Sequence, residues 1–125
     1  MNKKKTIMIC DDESDLLEMF QIALGKDYET LTADSGNDCI EKYFEEKKLN
    51  GKKIDILLLD YKLRDMEGDR VAKKVKELND VKIVIITAYE LEKKMVDELK
   101  HAGYIVDVIK KPMSIKSLIE RLESF

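Results

Sequence analysis

Residues Ile54-Asp55-Ile56-Leu57-Leu58-Leu59-Asp60 form an apolar run that stops on a carboxylate, with Lys52 and Lys53 before it and a polar turn after it. A run with so little alternation predicts a strand covered on both faces, as in a parallel sheet packed between helices. Asp60 then stands at the strand's carboxyl end, the edge of an open α/β sheet where ligands bind. An isolated Asp in that place more often just starts a turn. Acidic and polar residues elsewhere in the chain decide between the two readings.

Thr6 to Cys10 is a second short apolar run, and it stops at Asp11-Asp12-Glu13. Leu16, Leu17, Phe20, Ala23 and Leu24 follow at helical spacing, with Asp12 or Ser14 available as a cap and Gly25 as a stop. Tyr28 to Ala33 predicts an edge strand. Ser35 then caps a helix carrying Cys39, Ile40, Tyr43 and Phe44, and the polar stretch Glu45 to Lys53 predicts a helix end and loop. After the central strand and the turn Tyr61 to Gly68, a third helix turns Val71, Val75 and Leu78 inward. A fourth strand, Val81 to Ile86, ends at Thr87-Ala88. Leu91, Met95, Val96 and Leu99 mark a fourth helix closed by Ala102-Gly103, Tyr104 to Ile109 a fifth strand, and Lys110-Lys111-Pro112-Met113 the turn beyond it. Ser114 caps the last helix, whose inner face holds Ile115, Leu118, Ile119 and Leu122.

Five strands alternating with five helices over short links predict an α/β, doubly wound, five-stranded parallel sheet of flavodoxin-like order 2-1-3-4-5. That order sets the ends of the first and third strands side by side at the topological switch point. Asp11, Asp12 and Asp60 therefore converge. The 125 residues suit one domain, 1–125, with a single core, and no repeat or linker interrupts them. A net charge of -3 makes no general case for nucleic acid, so a partner must come through the site. Cys10 and Cys39 sit within apolar patterns and read as reduced packing residues in a cytoplasmic setting. The basic start Lys3-Lys4-Lys5 reads as a solvated tail. It lacks a signal-peptide core, and no segment approaches the roughly 18 apolar residues of a membrane span.

Three carboxylates held together repel one another, so a cation belongs among them. A hard divalent ion such as Mg2+ suits oxygen donors, keeps waters and leaves positions for phosphate oxygens. At neighbouring strand ends Thr87 offers a hydroxyl and Lys111 an ammonium that a phosphoryl group could pair with. Acids, hydroxyl and ammonium together describe a phosphoryl site. No other cofactor site is expected. His101 lacks the partners of a metal or triad histidine and reads as a surface residue, Tyr43 and Phe44 as packing, and the methionines as gap-fillers.

This pattern resembles a response regulator receiver domain over its whole length: Asp11-Asp12 after strand one, Asp60 ending strand three, Met66 and Gly68 in the next loop, Thr87-Ala88 after strand four and Lys111-Pro112 after strand five. The resemblance implies that Asp60 accepts a phosphoryl group from a histidine kinase or histidine phosphotransfer protein. Asp12 would bind Mg2+ directly, Asp11 mainly through water, and Lys62 would add its main-chain carbonyl. It implies a cis bond before Pro112 that aims Lys111 inward, with Lys110 left in solvent. Thr87 would switch, moving the face made by helix four, strand five and helix five toward an unnamed output partner or a phosphorylation-dependent dimer. The protein would catalyse only its own phosphorylation and dephosphorylation.

Two positions depart from the family. Val108 stands where most members carry the switch aromatic, and Tyr104 on the same strand reads either as its substitute or as packing. Arg64 replaces a common proline and predicts a looser loop. Lys62 and Tyr89, two residues past Asp60 and Thr87, flank the path of hydrolytic water and predict slow self-dephosphorylation, against the plainer reading that both extend into solvent. Alternatives are a phosphoryl carrier in a multistep relay and a phosphorylation-independent interaction module. An Asp-nucleophile phosphatase would need a second Asp where Lys62 stands, and a flavin carrier would need Gly, Ser or Thr donors after strand one. Whether the chain is a stand-alone receiver or a domain of a longer protein stays open.

Overall fold

A computed structural model describes residues 4–77 and 80–125. The elements alternate in the order β1 Lys5–Cys10, α1 Ser14–Leu24, β2 Tyr28–Ala33, α2 Gly36–Leu49, β3 Ile56–Asp60, α3 Gly68–Lys76, β4 Lys82–Thr87, α4 Lys93–His101, β5 Asp107–Lys110 and α5 Ile115–Glu123. All strand pairs are parallel and the sheet order is β2-β1-β3-β4-β5, as the sequence predicts.

Period-two alternation explains how β3 is buried on both sides. Leu57 and Leu59 join Met8, Cys10, Ile83 and Ile85 in a layer closed by Cys39 and Tyr43 of α2, Val71, Ala72 and Val75 of α3 and Leu99 of α4. Ile56 and Leu58 face the other way, with Ile7, Ile9, Val84 and Ile109, against Leu17, Phe20 and Leu24 of α1 and Leu118 and Leu122 of α5. Helices thus cover both faces, and the carboxyl ends of the strands are left as the open edge. Cys10 and Cys39 are buried free thiols, as expected. His101 is exposed.

Several local expectations need correction. Glu13, not Asp12 or Ser14, is the N-cap of α1, and its side chain makes no cap bond. Ser14 is already inside the helix, and Asp11 Oδ1 accepts the Glu13 N–H at 3.0 Å. Ser35 and Ser114 do cap, accepting from the N–H groups of Asp38 and Ser117. As expected, the polar stretch 45–53 holds a helix end and loop: α2 closes at Leu49, with Lys47 and Lys48 favouring its C-terminal dipole. β3 starts at Ile56; just before it, the Asp55 N–H donates to the Thr6 carbonyl at 2.9 Å, and its Oδ2 accepts the Thr6 N–H at 2.8 Å.

β5 is shorter than predicted, Asp107–Lys110 rather than Tyr104–Ile109. Gly103 takes φ +82, and the Tyr104 N–H turns back to the Leu99 carbonyl at 2.9 Å, closing α4. Tyr104 therefore lies in a turn and not beside Val108 on a strand. Asp107 accepts from its own neighbour Val108 N–H and from Arg121 of α5, and lies 3.5 Å from Lys100 of α4. Lys4 and Lys5 are less free than a solvated tail: Lys4 Nζ donates to the Gly25 carbonyl, and Lys5 opens β1. Leu78, assigned to the inner face of the third helix, and Lys3 lie outside the described residues.

Leu58 is fully buried at the middle of the sheet. Leu58→Ala should lower unfolding free energy by about 3 kcal/mol, read as a shift of the urea midpoint, through lost transfer energy and a residual cavity.

Candidate functional site

The switch point brings the predicted acids together. Oxygens of Asp11, Asp12 and Asp60 lie within 4.8 Å of one another, with Asp11 and Asp60 buried and Asp12 exposed. Asp11 follows β1 and is held by its N–H to the Ala33 carbonyl at 3.1 Å. Asp60 ends β3, where Gly68 approaches so closely that a Cβ would sit 2.6 Å from the Asp60 carbonyl oxygen. Only glycine permits that approach, which lets α3 start directly behind the acid.

Lys111 is the ammonium that enters this cluster, 2.9 Å from Asp11 Oδ2 and 3.8 Å from Asp60 Oδ2. Its N–H donates to the Thr87 carbonyl at 2.8 Å, and the bond to Pro112 is cis, as expected. Thr87 is fully buried at the end of β4. Its Oγ1 accepts the Tyr89 N–H at 3.1 Å and keeps its own hydrogen to donate. Lys110 is exposed, as expected, and pairs at the surface with Glu90 on the β4–α4 loop.

Lys62 and Tyr89 meet, with Lys62 Nζ 5.9 Å from the Tyr89 ring centroid and 3.8 Å from Glu67 Oε1. Glu67 also accepts from the Tyr61 hydroxyl at 2.6 Å, and that hydroxyl lies 3.7 Å from Met95 Sδ on α4. The loop after β3 is not loose at Arg64. Arg64 lies 3.3 Å from Asp34, and Asp65 accepts the N–H groups of Gly36 and Asn37 at 2.7 and 2.9 Å. Glu67, Asp65 and Glu90 were not singled out from the sequence. Asp65 and Glu90 find their partners 29 and 20 residues away, and no spacing rule shows such pairs.

Burial pushes the Asp60 carboxyl up, Lys111 opposes this, Asp11 adds to it, the Lys62 N–H bond lowers it and Asp12 raises it again, for a net rise to about 6. Three carboxylates face one paired ammonium, so the cluster retains negative charge that a hard cation would neutralise. The all-oxygen donor set fits Mg2+ and suits no soft metal. Among the described residues no other group of acids, cysteines or histidines gathers in this way, and no helix is long and apolar enough to cross a membrane.

Fold and cluster together define a flavodoxin-like α/β protein with a carboxylate site at its switch point. The chain belongs to the response regulator receiver domain family, whose model matches residues 7–123. A CheY-like receiver domain protein from Methanospirillum hungatei is 25% identical at TM-score 0.83, with 98% of this chain and 93% of that one covered. The response regulator TrrA from Thermotoga maritima, in complex with Mg2+-BeF, is 25% identical at TM-score 0.76, covering 96% and 97%. The BeF3-activated receiver domain of RstA from Klebsiella pneumoniae shares the fold at 21% identity and TM-score 0.80, covering 96% and 97%.

The raised Asp60 value carries a sign. The folded protein binds this proton more tightly than the unfolded chain, so the group's contribution is complete below its ordinary 3.8 and is lost as pH rises through about 6. In urea titrations with chelator at pH 7.5, Asp60→Asn should be more stable than the parent by about 2 kcal/mol. The gap should close toward pH 4 and narrow when Mg2+ is added.

Proposed function

We propose that this receiver domain accepts a phosphoryl group on Asp60 in a Mg2+-dependent reaction and uses it to switch partner binding. The observation that carries the reading is the buried Asp60 carboxylate set against Asp11, Asp12 and the Lys111 ammonium at one sheet edge. Asp11, Asp12, Asp60 and the Lys62 main-chain carbonyl would hold the Mg2+. When bound, the ion would neutralise charge on the phosphoryl oxygens and on the acids. The complex of TrrA with Mg2+-BeF supports a Mg2+ site in this fold.

An Asp60 oxygen forms the bond to phosphorus as the donor's P–N or P–O bond breaks, leaving an acyl phosphate. A carboxylate with a value near 6 is ionised for this at neutral pH. Lys111 then pairs with a phosphoryl oxygen, as it now does with the Asp11 and Asp60 oxygens. The Thr87 hydroxyl donates to another, drawing the segment that carries Tyr89 and Glu90 toward the site. Such chemistry needs positioning and charge, not acid-base groups. Lys62 is committed to Glu67 and the Tyr89 ring, so no acid stands there to drive turnover. The domain catalyses only its own phosphorylation and dephosphorylation. The donor would be a histidine kinase or histidine phosphotransfer protein, met in the cytoplasm, where two buried free thiols are at home.

Intact mass after incubation with acetyl phosphate and Mg2+ tests the reading. One added phosphoryl group is expected, absent with chelator and in Asp60→Ala; an adduct that survives either control would contradict it. The Lys62 and Tyr89 pair should also shield the acyl phosphate from water. The Lys62→Ala/Tyr89→Ala double variant should lose its adduct about tenfold faster, a change of about 1.4 kcal/mol in barrier, and an unchanged decay would remove the shielding role.

A further inference from the structure

The loop 61–67 is closed at its base and docked at its tip. At the base, the Gly68 N–H donates to the Tyr61 carbonyl at 2.6 Å, the Leu63 N–H donates to the Met66 carbonyl at 3.2 Å, and Lys62 bridges Glu67. At the tip, Asp65 Oδ1 takes the Gly36 N–H and Oδ2 the Asn37 N–H, both in the first turn of α2. Those amides have no intrahelical partner, and they sit at the positive end of the helix dipole. Both oxygens of one carboxylate therefore make charge-assisted bonds to a rigid element of the core. Burial pushes the Asp65 carboxyl up, but the Asn37 and Gly36 amides outweigh it and hold it below the usual carboxylate range.

Packing adds to the docking. Met66 lies so close to Gly36 that a Cβ there would sit 2.3 Å from Met66 Cγ, so the loop packs against a helix start that leaves no room for a larger residue unless Met66 shifts. The Arg64 pair with Asp34 is exposed on both sides and contributes little. Between closed base and docked tip lies the Lys62 peptide, whose N–H bonds the Asp60 carboxylate. Fixing that peptide before a ligand arrives removes ordering entropy from binding.

We propose that Asp65 is a positioning residue of the phosphorylation site, docking the 61–67 loop onto the N-terminus of α2 and thereby fixing the Lys62 peptide two residues past Asp60. The proposal rests on the reading of Lys62 as a carbonyl donor to Mg2+ and of Asp60 as the acceptor. It gives the loop a restraint at the position next to Arg64. It also ties the site to α2, an element that contributes no group to the chemistry itself.

Mg2+ binding by calorimetry, amide hydrogen exchange and adduct formation against Mg2+ concentration would be compared for the parent, Asp65→Ala, Asp65→Asn and Arg64→Ala. Asp65→Ala should weaken Mg2+ binding about tenfold, the scale for losing a group that orients a ligand. It should also deprotect the Gly36 and Asn37 amides, while adduct formation at saturating Mg2+ stays near the parent rate. Asp65→Asn, which keeps one acceptor oxygen, should fall between, and Arg64→Ala should match the parent. General destabilisation would not give this ordering at temperatures where all variants are folded. Parent-like Mg2+ affinity in Asp65→Ala, or an equal loss in Arg64→Ala, would overturn the proposal. A parent chain that binds no Mg2+ would instead overturn the reading beneath it, and the proposal with it.

Discussion

The Lys111 ammonium between Asp11 and Asp60 is the contact on which the arrangement of this domain turns. Two buried carboxylates at adjacent strand ends are costly unless a cation faces them. The chain brings that cation from 100 residues away in sequence, at 2.9 Å from Asp11. To deliver it, β5 must pair with β4, and the Lys111 N–H must meet the Thr87 carbonyl. One ammonium against three acids leaves charge to spare. That residual negative charge suits a hard cation, so the edge is more than a neutralised ion pair.

Around this centre the two flanking loops are tethered in different directions. The loop after β3 is docked on α2 through Asp65 and reaches α4 through Tyr61 and Met95. The loop after β4 is held by the Tyr89 N–H on Thr87 and by Glu90 on Lys110, and meets the first loop where Lys62 faces the Tyr89 ring. A pull on the Thr87 hydroxyl would be felt by both. Behind them Asp107 joins α4 to α5 through Lys100 and Arg121. Val108 and Tyr104 are both half-buried against the same core layer. Position 108 carries no ring, and polar tethers link the elements of this face.

Sheet order and site convergence were legible because both follow from local pattern. Unbroken apolar runs mark doubly covered strands, and a polar residue closing each run marks the ligand edge. Ser35 and Ser114 were legible as caps from a hydroxyl placed just before an apolar-periodic stretch, a signal that failed at Ser14, which lies inside α1. What the pattern missed is set by tertiary contact. Tyr104 looks like strand, but the Gly103 turn spends its N–H on α4. The stretch 45–53 was legible as a helix end and loop, although the pattern did not fix the boundary at Leu49. Asp55 looks like part of a strand, yet its carboxylate staples β1. Arg64 suggested a slack loop because the restraint comes from Asp65 and an amide pair 28 and 29 residues away.

The most direct test asks which carboxylate carries the phosphoryl group. The protein would be phosphorylated with acetyl phosphate and Mg2+, reduced with borohydride, digested and sequenced by mass spectrometry, so that an acyl phosphate is recorded as homoserine in place of Asp. The account predicts homoserine at position 60 alone. Homoserine at position 11 or 12, or at none of the three, would contradict it.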